Sequence, residues 1–206
     1  MTWALVPVKA FGRGKSRLST ALSEADRAAF ARGLLEHVLD TLAVSHLDGI
    51  LVATDSSEVA ETARQRATRI CWDAPDALNL AAVVDRGLLE LSAFGARSAL
   101  VLMADLPAIE PDDVHAVLAL LAEHDVVVVP AADGFHTNAL ALSPPTCLRT
   151  AFGRADSFQA HLAVARSAHL RTAVFDHPRL AFDVDGPADL ARFKALSHRI
   201  ENADRG

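Results

Sequence analysis

Three aspartates of this chain occupy positions from which they could hold one metal ion together. Asp105 closely follows an apolar run at 98–103, and Asp183 and Asp185 are separated by one residue. In an extended segment residues i and i+2 point the same way, so Asp183 and Asp185 share one face, about 7 Å apart at their Cα atoms. Like charges so placed are unfavourable unless a cation lies between them, and Mg²⁺ prefers oxygen ligands. The three carboxylates are therefore predicted to bind Mg²⁺.

Capping is the competing explanation for part of this set. Asp105 could cap a turn, and Asp185 could cap the helix that follows it, with Asp189 completing the cap. Capping leaves Asp183 without a role.

A basic segment with two glycines follows the first apolar run of the chain. Glycines let backbone amides turn towards a phosphate, and cations neutralise the phosphate charge. Neither a P-loop nor a dinucleotide-binding fingerprint is present, because lysine and arginine stand where those motifs need glycine. A solvated basic turn is the alternative. Since the net charge of the chain is −6, this local cluster of cations favours polyphosphate binding by Lys9, Gly12, Gly14, Lys15 and Arg17.

Two polar stretches later in the chain, 134–138 and 152–161, combine hydroxyl groups, glycine and histidine. Hydroxyls, amides and a glycine turn at the start of a helix suit the binding of a phosphorylated acid. Simple capping by Asp156 or Ser157, of the helix that leads to His161, is the alternative for the second stretch.

Apolar runs rich in β-branched residues alternate with amphipathic stretches along the chain. Several runs are apolar throughout, as expected for strands buried on both faces of a largely parallel sheet. Strands are predicted at 3–8, 49–53, 69–72, 98–103, 126–130, 139–143 and 171–175. Helices are predicted after a capping box at 23–26 and at 58–66, 79–94, 112–123, 156–165 and 188–196.

This alternation of strand and helix predicts a single α/β domain over residues 1–198, followed by a polar tail at 199–206. The expected architecture is a three-layer sandwich with a mostly parallel central sheet. Such sheets bind ligands beyond the carboxyl ends of their strands, which is where the candidate residues occur.

Composition excludes several other classes of function. The net charge of −6 and the pI near 5.8 argue against nucleic-acid binding, which needs a basic face. Cys71 and Cys147 form no CxxC pair, so neither a disulfide framework nor a thiolate zinc site is expected. No apolar run reaches the roughly 18 residues of a membrane helix, and the N-terminus lacks a secretory signal. We expect a cytoplasmic protein that binds no membrane.

Six motifs occur in a fixed order: VPVKAFGRGKSRL, ALNLA, MADLP, HTNALAL, FGRADSFQAH and FDVDGPADL. Together they resemble the 2-phospho-L-lactate guanylyltransferase family over residues 6–190. The resemblance implies a Rossmann-like nucleotidyltransferase fold and Mg²⁺-dependent transfer of GMP from GTP to a small phosphorylated acid, with release of diphosphate, in coenzyme F-420 biosynthesis. The acid is 2-phospholactate, phosphoenolpyruvate or 3-phosphoglycerate, and the product passes to the next enzyme of the pathway. A homodimer is a further expectation.

The resemblance also assigns residues to each part of the site. The phosphate-binding opening and the loop near the nucleotide correspond to Lys9, Lys15, Arg17 and Asn79. The metal-binding aspartates correspond to Asp105, Asp183 and Asp185, which are expected to be catalytic together with Lys15. The positions that hold the phosphorylated acid correspond to Thr137, Gly153 and Ser157.

His136 departs from the family pattern, in which the turn before Thr137 is usually rich in glycine. An imidazole here narrows the pocket and adds a hydrogen-bond donor that can become cationic. Such a group favours an acid with a free hydroxyl, which is 3-phosphoglycerate. The alternative is that His136 faces solvent and the acid is phosphoenolpyruvate or 2-phospholactate.

Two other functions fit the same motifs less fully. A related nucleotidyltransferase or sugar transferase would share the fold and use another acceptor. A non-catalytic nucleotide-binding protein would bind GTP without releasing diphosphate, and it would not need three carboxylates.

The phosphate of the acid is already an anion near neutral pH, so the expected transfer needs no general base.

Overall fold

A seven-stranded sheet lies at the centre of the computed structural model, which describes residues 1–13, 15–66, 68–73 and 79–203. The strands are β1 (Thr2–Pro7), β2 (Gly49–Thr54), β3 (Arg69–Trp72), β4 (Ser98–Leu102), β5 (Val126–Pro130), β6 (Thr137–Leu142) and β7 (Thr172–Val174). Their order across the sheet is β3-β2-β1-β4-β6-β5-β7. All seven strands predicted from the sequence are present, with ends that shift by at most two residues.

β6 runs antiparallel to both of its neighbours, β4 and β5, whereas the other neighbouring strands pair in parallel. The amino end of β6 therefore lies at the same edge of the sheet as the carboxyl ends of β1, β4 and β5. This reversal brings Thr137, the first residue of β6, to the edge where ligands bind in α/β sheets.

Seven α-helices accompany the sheet in the described part of the chain. They are α1 (Glu24–Ala43), α2 (Ser57–Arg64), α3 (Leu80–Ala93), α4 (Pro111–Ala119), α5 (Ser157–Ser167), α6 (Pro178–Ala181) and α7 (Pro187–Ala203). Short 3₁₀ turns occupy Phe11–Arg13, Ser16–Thr20 and Leu120–Ala122. The first two 3₁₀ turns and α6 are absent from the sequence prediction, whereas the third 3₁₀ turn lies within the helix predicted at 112–123. The predicted cap of α1 forms, because Ser23 Oγ accepts a hydrogen bond from the Asp26 amide at 3.1 Å.

Helices cover both faces of the sheet, as the uniformly apolar strands predict. Buried side chains of α1, α2, α4 and α6 pack on one face with alternate strand residues such as Val6 and Leu102. Those of α3 and α5 pack on the other face with residues such as Leu5 and Val101. The three-layer α/β sandwich is thus confirmed. None of the described helices is long and apolar enough to cross a membrane.

A third and smaller apolar cluster lies beyond the carboxyl ends of the strands. It joins Leu18 of the basic segment to Phe182, Val184 and Leu190 of the aspartate segment, and all four side chains are at most 5% exposed. We call it the edge cluster. It packs the two polar segments of the predicted site against each other.

Candidate active site

The three predicted metal ligands converge at the edge of the sheet. Asp105 follows β4, and the Val184 amide donates a hydrogen bond to the Asp105 carbonyl at 3.3 Å. This bond fixes the extended segment 183–185 beside β4. One carboxylate oxygen from each of Asp105, Asp183 and Asp185 lies within 4.8 Å of the others. The structure therefore assembles an oxygen-rich cluster from residues up to 80 positions apart in the sequence.

Asn138, the second residue of β6, holds the aspartate segment in place. Its Nδ2 donates to Asp183 Oδ1 at 3.2 Å and also contacts the carbonyl oxygens of Leu180 and Ala181, at 3.0 and 3.2 Å. The side chain is buried, so these bonds form away from competing water. Asn138 ties α6 and Asp183 to the sheet.

The capping alternative applies to Asp189 rather than to the three predicted metal ligands. Asp189 Oδ2 accepts hydrogen bonds from the amides of Asp185 and Gly186, at 3.2 and 2.8 Å. Because Asp189 makes these bonds at the start of α7, the Asp185 carboxylate is left to face the cluster. Asp105 likewise directs its carboxylate to a lysine.

Lys15 lies between two of the carboxylates. Its Nζ is 2.5 Å from Asp105 Oδ2 and 3.1 Å from Asp185 Oδ1, and the side chain is only 9% exposed. Burial acts to lower the pKa of Lys15, but the charges of Asp105 and Asp185 outweigh it and the net shift is upward. The ammonium group therefore stays charged. Lys15 adopts a left-handed backbone conformation, φ 56°, which a non-glycine residue seldom does.

The surroundings of Asp183 strongly perturb its carboxyl group. Its burial, together with the negative charge of Asp105, raises its pKa to about 6. Three carboxylates and one ammonium leave two negative charges when all are ionised. A hard divalent cation fits this donor set, because it is bound by oxygen ligands and would relieve the repulsion.

The remaining residues of the basic segment border two cavities. Arg17 is 75% exposed, with Nη1 3.8 Å from Asp185 Oδ2, and it lines a cavity of about 440 Å³. Lys9 lines a second cavity, of about 250 Å³, which Lys15 and Asp105 also border. Gly12 is exposed in a 3₁₀ turn, and Gly14 lies outside the described residues.

All four residues predicted to bind the phosphorylated acid line the larger cavity. They are His136, Thr137, Gly153 and Ser157. The Ser157 hydroxyl accepts a hydrogen bond from the Thr137 amide at 3.1 Å, so that α5 and β6 present these two hydroxyls together. Gly153 has φ +82°, and a Cβ there would lie 3.2 Å from Leu80. Both facts explain why this turn requires glycine.

His136 has a partner within its own loop. Its Nδ1 donates to Asp133 Oδ2, and the Asp133 carboxylate also accepts from the His136 amide at 3.0 Å. The imidazole is about half exposed and borders the larger cavity. It thus faces the pocket and solvent at once, and both readings of His136 stay open.

Asn79 caps α3 at the rim of the same cavity. Its side-chain oxygen accepts a hydrogen bond from the Ala82 amide at 3.0 Å, and the next residue, Leu80, lines the cavity. The role predicted for Asn79 in nucleotide binding stays a prediction. Its neighbour in the motif, Leu78, lies outside the described residues.

Asn138 and His161 lie in the two polar stretches of the sequence analysis without being assigned individual roles, and Arg192 was not considered there, yet the structure places all three in or next to the candidate site. Asn138 and Arg192 line the larger cavity. His161 is fully buried behind it. Helical spacing offered a signal for two of them, since His161 lies four residues after Ser157 and Arg192 three residues after Asp189.

Comparison with known proteins agrees with this geometry. A family model described as guanylyl transferase CofC like matches residues 2–198. The chain belongs to this family. It is therefore a guanylyltransferase, as the ordered motifs predict.

Relatives of the guanylyl transferase family match almost the full chain. A phosphoenolpyruvate guanylyltransferase of Sphaerobacter thermophilus is 37% identical over 190 residues, which cover 92% of this chain and 90% of that protein. A 2-phospho-L-lactate guanylyltransferase of Methanocorpusculum labreanum is 30% identical over 199 residues, covering 95% and 84%. Among solved structures, a nucleotidyl transferase from Methanothermobacter thermautotrophicus superposes with a TM-score of 0.66 at 18% identity, covering 97% and 99% of the two chains. This last similarity concerns the fold alone.

Proposed function

We propose that this guanylyltransferase transfers GMP from GTP to phosphoenolpyruvate, with Mg²⁺ bound by Asp105, Asp183 and Asp185, as one step of coenzyme F-420 biosynthesis. The convergence of the three carboxylates and Lys15, beside a cavity lined with hydroxyl groups, carries this proposal. The phosphoenolpyruvate guanylyltransferase cited above shares more identity with this chain than the 2-phospho-L-lactate enzyme does, which favours phosphoenolpyruvate. 2-Phospholactate and 3-phosphoglycerate are the alternatives.

The reaction is a substitution at the α-phosphorus of GTP. A phosphate oxygen of the acid forms a bond to this phosphorus, the bond to the oxygen that bridges to the β-phosphorus breaks, and diphosphate leaves. The attacking phosphate is already an anion at neutral pH, so that no base need remove a proton. The protein has to align two anions and offset their repulsion.

The basic residues and the three aspartates are each proposed to contribute to aligning the two anions and offsetting their repulsion. Lys9 and Lys15 border the cavity of about 250 Å³, where they can neutralise the triphosphate, and Arg17 lines the larger cavity beside Asp185. When bound, Mg²⁺ supplies Lewis-acid stabilisation of the phosphoryl oxygens. Lys15 contacts both Asp105 and Asp185 and so holds these two carboxylates next to each other at the proposed cation site.

The acid is proposed to occupy the cavity of about 440 Å³. Thr137, Gly153 and Ser157 line it, and Ser157 is the first residue of α5. An anion at the start of a helix is stabilised by the free amides there. The product would pass to the next enzyme of the pathway. The homodimer and the cytoplasmic location stay predictions.

Diphosphate release tests the proposal directly. The purified protein is supplied with Mg²⁺, GTP and each of the three acids in turn, with the next pathway enzyme present to remove product. We expect release with phosphoenolpyruvate at a higher kcat/KM than with the other acids, and little release when ATP replaces GTP. Release only with a different nucleotide or acceptor would favour the related-transferase alternative. GTP binding without release for any acid would favour the non-catalytic one.

A further inference from the structure

His161, on α5, is completely buried, and both of its ring nitrogens have partners. Nε2 lies 2.8 Å from the Ala151 amide nitrogen, and Nδ1 lies 3.0 Å from Thr137 Oγ1. The ring also packs edge-on against Phe152, with centroids 4.7 Å apart. The imidazole therefore connects α5, β6 and the turn that contains Gly153.

These contacts determine where the imidazole hydrogen lies. A backbone amide can only donate, so Nε2 must accept and carries no hydrogen. The ring is neutral near pH 7, because its burial lowers the pKa of His161 to about 4. The single ring hydrogen is therefore on Nδ1, and Nδ1–H donates to Thr137 Oγ1.

The direction of this bond fixes what the Thr137 hydroxyl can do. Its oxygen already accepts from His161, so its own hydrogen is left to be donated. The same holds for Ser157, whose oxygen accepts from the Thr137 amide. Both residues line the larger cavity. The pocket thus presents hydrogen-bond donors, which suit the carboxylate or phosphate oxygens of an ionised acid.

We propose that His161 is a positioning residue for the acid: by donating Nδ1–H to Thr137 Oγ1, it holds the Thr137 hydroxyl as a donor towards the substrate. This inference rests on the proposed acid site at Thr137 and Ser157. A purely structural histidine would hold α5 in place without affecting the hydroxyl. The two roles differ in whether the effect of His161 passes through Thr137.

A double-mutant cycle separates these roles. Steady-state kinetics with phosphoenolpyruvate and GTP are measured for the native protein, His161→Phe, Thr137→Val and the double variant. Each single substitution is expected to raise the KM of the acid by roughly tenfold, the order expected for a lost hydrogen bond to a charged group, while the KM of GTP stays nearly unchanged. The double variant should be no worse than Thr137→Val.

Two further substitutions of His161 provide a second test in case His161→Phe does not fold. The amide of His161→Asn can stand near the position of Nδ1 and donate to Thr137, whereas that of His161→Gln reaches the position of Nε2 near Ala151. We expect His161→Asn to keep an acid KM close to that of the native protein and His161→Gln to lose it, at matched melting temperatures.

The outcomes distinguish failure of this inference from failure of the site assignment. An unchanged acid KM in Thr137→Val would show that the acid binds elsewhere. A raised KM in Thr137→Val, with the full effect of His161→Phe added in the double variant, would overturn the positioning role alone. Equal loss in His161→Asn and His161→Gln would also overturn it.

Discussion

At the scale of single residues, Lys15 gives the acidic cluster a positive charge of its own. Its ammonium group contacts Asp105 and Asp185 and is nearly buried. We therefore expect Lys15 to contribute to stability in addition to the substrate binding proposed for it. A bound divalent cation would supply charge at the same place, so that the lysine and the metal should partly substitute for each other in stabilising the fold.

Replacement of Lys15 by methionine tests this relation. In the presence of EDTA the melting temperature of Lys15→Met should fall, because the carboxylates lose their counter-charge, and Mg²⁺ should restore part of it. Turnover should fall by the order of 10², the usual effect of losing a preorganised electrostatic group. Lys9→Met is the control for the melting temperature, since Lys9 is exposed. A melting temperature of Lys15→Met that is insensitive to both EDTA and Mg²⁺ would contradict the expectation.

The folded protein disfavours the charged form of Asp183, whereas it favours the charged form of Lys15. The raised pKa of Asp183 shows that its charge is disfavoured when no cation is bound. The metal-free Asp183→Asn protein should therefore melt no lower than the native one, yet its turnover should drop by the order of 10² and its stabilisation by Mg²⁺ should disappear. Thermal melts with and without Mg²⁺, beside a diphosphate assay, measure both effects. Near-native turnover in this variant would contradict the proposal that three carboxylates bind the metal ion.

His136 is the residue with which the choice of acid can be tested. We expect His136→Gly to change the ranking of kcat/KM among phosphoenolpyruvate, 2-phospholactate and 3-phosphoglycerate, because lost discrimination appears as a ratio of specificity constants. Phe135→Ala is the matched control, since that neighbour is 62% exposed. An unchanged ranking would remove His136 from the choice of acid.

At the scale of elements, α6 shows how a short helix is held where the site needs it. Arg179 donates two hydrogen bonds to the carboxylate of Asp113 on α4, at 2.8 and 2.7 Å. Asp113 is only 2% exposed and also accepts from the Glu110 amide at 2.9 Å, which caps α4. This pair anchors α6 immediately before Asp183.

Removal of this anchor should cost stability. Asp113→Ala loses the paired carboxylate and the cap, and we expect a loss of about 2 kcal/mol in the free energy of unfolding; the freed Arg179 is partly exposed and can regain water, which moderates the cost. Asp112→Ala is the control, because the neighbouring Asp112 side chain is 93% exposed. Urea unfolding measures both variants. Equal free energies of unfolding in the Asp113→Ala and Asp112→Ala variants would contradict the proposal that Asp113 anchors α6.

The sequence predicts the long elements well and the short ones poorly. The five central strands were predicted because each is a largely apolar run that is buried on both faces, and the partly exposed edge strands β3 and β7 were predicted from shorter runs. α6 was missed because it has four residues, too few to show a helical period, and it depends on Asp113 and Asn138, which are distant in sequence. The 3₁₀ turn that carries Arg17 was not predicted either, because its five residues are too few to show a helical period.

The candidate site was predicted residue by residue but not as an arrangement. Spacing placed Asp183 and Asp185 on one face, and position after β4 added Asp105. The Lys15 ammonium between the carboxylates depends on the three-dimensional path of the basic segment, and no local pattern reports it. The same is true of the antiparallel direction of β6, which presents Thr137 and Asn138 to the site.

At the scale of the whole molecule, the dependence of stability on pH combines opposite contributions. The pKa of His161 is lowered to about 4 from an ordinary 6.5, so the unfolded chain takes up this proton first as the pH falls. The stability that neutral His161 contributes is complete above pH 6.5 and is lost between pH 6.5 and about 4. Asp183, with its raised pKa, adds stability as it is protonated on the way down from pH 6, which masks this loss.

The contribution of His161 can be isolated in the Asp183→Asn protein, where that carboxyl group is absent. Between pH 7 and pH 5 we expect the free energy of unfolding of this protein to fall by about 2 kcal/mol more than that of the same protein with His161→Asn. Urea titrations at the two pH values measure the difference. Equal losses of unfolding free energy in the two proteins would show that the buried imidazole does not contribute to the fall in stability between pH 7 and pH 5.

The edge cluster has a consequence for how the site opens. Leu18 and Val184 are both fully buried in it, although they belong to the basic and the aspartate segments. Separating one segment from the other would expose apolar surface on both, so neither can detach alone at low cost. In hydrogen–deuterium exchange, the amides of Leu18 and Val184 should therefore exchange through one shared opening event. Substrates that bridge the two segments should slow both amides by the same factor.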